Sequence, residues 1–124
     1  MLILVINPGS TSTKIAVYDD EKPILLRTIN HSAEELSQFD DVLEQQSFRK
    51  QVLLNELQQA HLPMNFDAVI GRGGLVKPLE GGVYEINEQM VIDTHSGIAM
   101  HNHACNLGCL IAYEIALEIP GCRA

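Results

Sequence analysis

The chain opens with an apolar run, Leu2 to Ile6, then a small polar stretch, Asn7-Pro8-Gly9-Ser10-Thr11-Ser12-Thr13-Lys14, then a second β-favouring run, Ile15 to Tyr18. That succession predicts two strands joined by a loop. A charged turn from Asp19 to Pro23 precedes a third β-like run, Ile24 to Ile29, and three strands with tight connections predict an antiparallel meander. Ser32-Ala33-Glu34-Glu35 matches a capping box and announces helix. From Val42 to about Ala60 the period is helical, with Phe48, Val52, Leu53, Leu57 and Ala60 on one broad face and Glu44, Arg49, Lys50, Glu56 and Gln59 on the other.

Phe66 to Ile70 predicts a short fourth strand, reached through a helical crossover and therefore parallel to a strand of the same sheet. A glycine-rich loop follows, Gly71-Arg72-Gly73-Gly74-Leu75-Val76-Lys77-Pro78 and on to Gly82. Val83 to Ile86 reads as a short extended piece, and Asn87 to about Thr94 as a helix begun by an Asn cap with Glu88 in its first turn. Asn102 to Ile119 predicts a core helix. Its stripe is Leu107, Ile111, Ile115 and Ile119. Beside it Ala104, Gly108, Ala112 and Ala116 permit close approach to a neighbour, while Glu114 and Glu118 are read as solvated. Pro120-Gly121-Cys122-Arg123-Ala124 is read as a helix exit leading into nothing further.

Length and composition narrow these elements to one domain: 124 residues, 46% hydrophobic and 19% charged. Sixteen Asp and Glu against eight Lys and Arg leave a net charge of -8, which argues against nucleic acid or an anionic membrane as partner. No apolar run approaches the roughly 18 to 20 residues of a membrane span, and Leu2 to Ile6 is too short for a signal peptide, so a cytoplasmic protein is expected. Cys105, Cys109 and Cys122 suggest no disulfide framework. Cys105 and Cys109 share a helical face with His101, a spacing open to a metal site or to plain packing.

Against this acidic background, the Asn7 to Lys14 stretch is the candidate anion site. Gly9 tolerates unusual backbone angles, Ser10 to Thr13 offer hydroxyls and amide N–H groups, and Lys14 adds a positive charge. An ordinary hairpin turn has the same composition. Arg72 carries a planar fork suited to carboxylate or phosphate, or to a surface salt bridge. His101 and His103 flank Asn102 where the last helix begins and its amides favour anions; a capping histidine is the alternative.

Three ordered blocks carry a family resemblance. They are Val5 to Tyr18, then Gly71 to Pro78 with Gly81-Gly82-Val83-Tyr84, then His103-Ala104-Cys105-Asn106-Leu107-Gly108 with Ile111 to Ala116. Together they resemble the N-terminal part of the butyrate kinases, in the acetate and butyrate kinase family of the actin-like ATPase superfamily. The resemblance implies an α/β, ribonuclease-H-like domain whose mixed sheet starts with an antiparallel three-strand meander and has helices packed on it. It further implies that residues 1–124 are the first domain of a two-domain carboxylate kinase, with the adenosine-binding domain beyond Ala124. The implied reaction transfers the terminal phosphoryl group of ATP to a short-chain carboxylate, with Mg2+ as cofactor. A noncatalytic phosphate-binding domain, or a kinase for acetate, propionate or branched acids, is the alternative. The 124 residues alone are expected to be inactive, and the full-length protein to be a homo-oligomer.

By the same resemblance Asn7 matches the residue that contacts the transferring phosphoryl group and, indirectly, its metal. Gly9, Ser10, Thr11, Ser12 and Lys14 match the phosphate loop, although Thr11 and Thr13 could equally point into the sheet and alternation could send Lys14 to solvent. Arg72 takes a catalytic role by location, since acetate kinases place a His before the two glycines and an Arg a little earlier. His-Ala-x-Asn-Leu-Gly selects His103 as the third catalytic residue, whereas the acetate kinase pattern Leu-His-Asn resembles Met100-His101-Asn102. Gly73, Gly74, Leu75, Val76 and Pro78 are candidates to line a small apolar acyl pocket.

Overall fold

The computed structural model describes residues 1–73, 77, 79–96 and 103–124. Strands β1 (Leu2–Pro8), β2 (Ser12–Asp19) and β3 (Lys22–Asn30) form the antiparallel meander, and β4 (Ala68–Gly71) pairs parallel with β1. Among the described residues the sheet order is β3-β2-β1-β4. The parallel pair requires a crossover, supplied by α1 (Ala33–Ser37), a 3-10 turn over Val42–Gln45 and α2 (Gln46–Gln59). Helices α3 (Glu88–Ser96) and α4 (Asn106–Glu118) follow β4.

Local signals explain most of these boundaries. Ser32 and Glu35 close a reciprocal capping box on α1, Ser32 N–H to Glu35 Oε1 at 2.9 Å and Glu35 N–H to Ser32 Oγ at 3.1 Å. The Asn87 side chain accepts from Met90 N–H at 2.8 Å and starts α3. Alternation along β1 and β2 sends Leu4, Ile6, Ile15 and Val17 to one face, where α2 and α4 cover them with Leu53, Leu57, Leu107, Ile111 and Ile115. Between these helices Lys50 bridges the half-buried Glu114 and the exposed Glu118 at 2.8 and 2.7 Å, so carboxylates that reach solvent also tie α4 to α2.

Helix α4 meets the sheet through backbone. A Cβ built on Gly71 would lie 2.2 Å from the Gly108 carbonyl oxygen, and one on Gly108 would lie 3.0 Å from the Arg72 carbonyl oxygen and 3.3 Å from Pro8. The small-residue stripe of α4 is thus used at the end of β4, where the helix must approach closely.

Several sequence expectations change. The first strand runs two residues further than Ile6, to Pro8, and β2 starts at Ser12, so the long polar loop shrinks to a turn at Gly9, Ser10 and Thr11. Gly9 keeps a negative φ, so its tolerance of unusual angles is not what the turn uses. Helix α4 begins at Asn106, and His103 lies in the turn before it. Val83 to Ile86 forms no strand, contributing one backbone bond from Ile86 N–H to Ala124 O at 2.9 Å. The last residues do lead somewhere: Arg123 bridges Ala68 in parallel, with Val69 N–H to Arg123 O at 2.8 Å and Arg123 N–H to Asp67 O at 3.1 Å.

The largest correction is Arg49, which is fully buried instead of solvent-facing. It lies four residues before Leu53 and eight before Leu57, on the buried stripe of α2. Its Nη1 donates to Gly9 O (2.6 Å), Ser12 O (3.0 Å) and Thr13 Oγ1 (3.3 Å), its Nη2 to Ser10 O (3.1 Å), and its Nε to Gln45 Oε1 (3.0 Å). Thr13 Oγ1 also meets Nε2 of the buried His31 at 2.8 Å, and His31 packs edge-on against Phe48. Burial first, and then the charge of Arg49, holds the His31 pKa below its ordinary value, against a smaller opposing pull from Glu35.

Two stability measurements follow. Gly71→Ala forces a Cβ onto α4 backbone that cannot rotate away, and should cost about 1–3 kcal/mol in urea denaturation, whereas Gly81→Ala, which meets open space, should leave the midpoint nearly unchanged. His31 stays neutral in the folded chain at pH values where the unfolded chain, at the ordinary 6.5, already binds a proton, so stability falls as pH drops below that value. Between pH 7.5 and 5.5 the native protein should lose more of its urea midpoint than the His31→Gln variant; equal losses would dismiss this coupling.

Candidate active site

Because β1 and β4 run parallel, their carboxyl ends open at the same edge of the sheet, and α4 begins beside them. That edge is where open α/β sheets bind ligands. It holds a concave cavity of about 470 Å3. The first hairpin contributes Asn7, Pro8, Gly9, Ser10, Ser12 and Lys14 to its wall, the exit of β4 contributes Arg72 and Gly73, and the entry to α4 contributes His103 and Cys105.

Asn7 and Lys14 are cross-strand partners in register, so their side chains leave the sheet on one face. Lys14 is exposed, and it borders the cavity all the same. The turn between these strands is closed by Gly9 N–H to Ser12 O at 2.7 Å, and its carbonyls at Gly9, Ser10 and Ser12 are drawn towards Arg49. Thr11 is exposed and is not part of the lining; its carbonyl accepts from His31 N–H at 2.8 Å. Thr13 points into the core, as one of the two sequence alternatives had it.

Arg72 leaves the sheet directly after β4, its backbone still held to β1 by Arg72 N–H to Ile6 O at 2.8 Å. Among the described residues no carboxylate pairs with it, so the surface salt bridge offered by the sequence is not made there. Gly73 takes a positive φ of 72°, a conformation that favours glycine. His103 is exposed and its Nδ1 accepts from Cys105 N–H at 3.2 Å, which in the neutral ring leaves the proton on Nε2 as a donor.

The polar groups on this wall are donors and cations: the Asn7 amide, the Ser10 and Ser12 hydroxyls, Lys14, Arg72 and His103. No Asp or Glu belongs to the described lining. In a chain of net charge -8, such a local surplus of positive charge suits a small anion.

Gly74, Leu75, Val76 and Pro78 of the proposed acyl pocket, and His101 with its neighbours Met100 and Asn102, lie outside the described residues. Among the described residues no group of three His, Cys, Asp or Glu side chains could hold a metal, and Cys109 is buried while Cys105 borders the cavity. No helix among them is long and apolar enough to cross a membrane. Arg49 and His31 hold the turn without lining the cavity, and the sequence reading gave neither a role there. Only the spacing of Arg49 from Leu53 and Leu57 hinted at its burial, and nothing local marked His31.

No protein-family model matches the chain. Among curated proteins it is 60% identical over 124 residues to a probable butyrate kinase of Bacteroides thetaiotaomicron, 57% identical over 118 residues to a probable butyrate kinase of Phocaeicola vulgatus, and 49% identical over 118 residues to butyrate kinase 1 of Clostridium acetobutylicum. These alignments cover 100%, 95% and 94% of the chain but 35%, 33% and 33% of the relatives, so the chain spans about a third of their length. The mixed sheet with helices packed on it agrees with the actin-like ATPase fold of that family. Over nearly its whole length the chain is thus similar to the N-terminal third of curated butyrate kinases.

Proposed function

We propose that these residues are the phosphate- and carboxylate-facing part of an ATP-dependent butyrate kinase, which converts butanoate and ATP to butanoyl phosphate and ADP. The observation that carries this reading is the meeting of Asn7, Ser10, Ser12, Lys14, Arg72 and His103 around one cavity at the carboxyl ends of β1 and β4. Residues 1–124 would form the first of two domains, with the adenosine site on the second and the active site between them.

Bringing a carboxylate up to a phosphoryl group sets anion against anion, so the work is positioning and charge neutralisation. In this reading the Asn7 amide and the Ser10 and Ser12 hydroxyls donate to phosphoryl oxygens, with Gly9 letting the backbone come close. Lys14 supplies charge, and Arg72 spans the carboxylate or the phosphoryl group with its fork. His103 donates from Nε2. Thr11, outside the lining, drops to a supporting place in the turn. Gly73, with Gly74, Leu75, Val76 and Pro78, would border the acyl chain.

Mg2+ fits this wall as a guest of the phosphate. Asn7, Ser10 and Ser12 offer neutral oxygens, and the described lining has no carboxylate to hold the ion by itself. Asn7 would therefore be an indirect contact, and the ion would neutralise charge on the phosphates. The protein would act on small molecules, in the cytoplasm, as a homo-oligomer, without nucleic acid or membrane. Because the chain covers about a third of its relatives' length, a second reading is that these residues alone bind phosphate without turnover.

A hydroxamate assay of the full-length protein with ATP, Mg2+ and acetate, propionate, butyrate or isobutyrate tests the reading. Acyl phosphate should form fastest with a four-carbon acid, and no product with any acid would overturn it. Arg72→Lys keeps the charge but loses the fork, and should lower kcat/KM by roughly 10²–10³. The 124 residues alone should give no product.

A further inference from the structure

We infer that Arg49 is the positioning residue of the phosphate turn: from beneath the sheet edge it sets the turn's geometry and gives the site part of its positive potential. The inference rests on the reading of that turn as the phosphate site. Three turn carbonyls, Gly9, Ser10 and Ser12, end on one guanidinium, with Thr13 Oγ1 and Gln45 Oε1 as its other acceptors. Each of these acceptors is an uncharged oxygen. A rigid planar fork can hold several carbonyls at fixed mutual angles, which an ammonium on a flexible stem cannot.

Two consequences follow for an anion in the cavity. Carbonyl oxygens are the groups of a turn that repel phosphate, and those of Gly9, Ser10 and Ser12 are turned to Arg49. Gly9, Ser10 and Ser12 themselves border the cavity, and with the Gly9 N–H kept inside the turn on Ser12 O, the hydroxyls of Ser10 and Ser12 are the groups left to meet an anion. The charge of Arg49 is also buried and bonded to neutral groups, so solvent screens it weakly and its field reaches the cavity a few atoms away. Arg49 does not touch the anion; it is absent from the cavity wall, and acts through the turn.

The alternative is a residue that only holds α2 to the sheet. Loss of such a residue would lower stability and leave the folded protein's affinity unchanged. The test uses the full-length protein and inorganic phosphate as probe, titrated by 31P NMR at a temperature where circular dichroism shows each variant folded. Arg49→Ala should weaken phosphate binding on the order of tenfold or more, because the turn is both displaced and stripped of a nearby charge. Adding millimolar guanidinium should restore much of that affinity in Arg49→Ala and none in Arg72→Ala. Arg49→Lys, which keeps charge without the fork, should fall between Arg49→Ala and the native protein. If Arg49→Ala does not fold, the lysine variant decides: native affinity in a folded Arg49→Lys overturns the inference. Unchanged affinity in a folded Arg49→Ala, or recovery of stability by guanidinium without recovery of binding, overturns it as well. A native protein that binds no phosphate overturns the phosphate-site reading itself, and this inference with it.

Discussion

A guanidinium removed from water is tolerable only where its nitrogens find oxygens, and each of the three nitrogens of Arg49 does so, chiefly by gathering the carbonyls of the first turn. The constraint runs both ways. The turn between β1 and β2 needs somewhere to send carbonyls that face inward, and α2 needs a polar partner at the one point where its buried stripe carries a charge. Thr13 and His31 complete the same buried network from the start of β2 and the end of β3. Helix, turn and both neighbouring strands are thereby fixed to a single group, and the residues bordering the cavity inherit that rigidity.

The second constraint is space. Gly71 and Gly108 let the backbone of α4 rest on the end of β4, which brings the turn carrying His103 and Cys105 beside Arg72 and Pro8. Three segments separated by tens of residues meet because two positions lack a Cβ. Ion pairs from Lys50 to Glu114 and Glu118 then hold the other end of α4 against α2. The cavity is thus placed by backbone contact at one end of α4 and by charge pairing along it.

Much of this was legible in the chain. Apolar and β-favouring runs separated by polar and charged turns specify the meander in the first thirty residues, and the capping residues Ser32 and Asn87 specify where α1 and α3 start, since these signals act over a few residues. The stripe of small residues announced a close approach without saying to what. Charge misled the reading of α2: Arg49 was assigned to solvent because isolated arginines usually are, although its spacing from Leu53 and Leu57 placed it inside. Glu114 and Glu118 do reach solvent as expected, but their shared partner Lys50 lies on a helix more than sixty residues earlier and no local pattern marks it.

By itself, then, the sequence determined the strands, the caps, the likeness to butyrate kinases and the polar residues of the first turn, because each of these is written in residues close together or in blocks that can be matched directly. Tertiary structure decided which of those residues share a cavity. Asn7 faces the same side as Lys14 through strand register, Thr13 turns away into the core, and Arg72 and His103 arrive through a glycine contact between β4 and α4. It also decided that Arg49 is interior, because the oxygens that make its burial possible belong to a turn some forty residues away. Partners at that distance leave no local pattern, and only folding brings them within hydrogen-bonding reach.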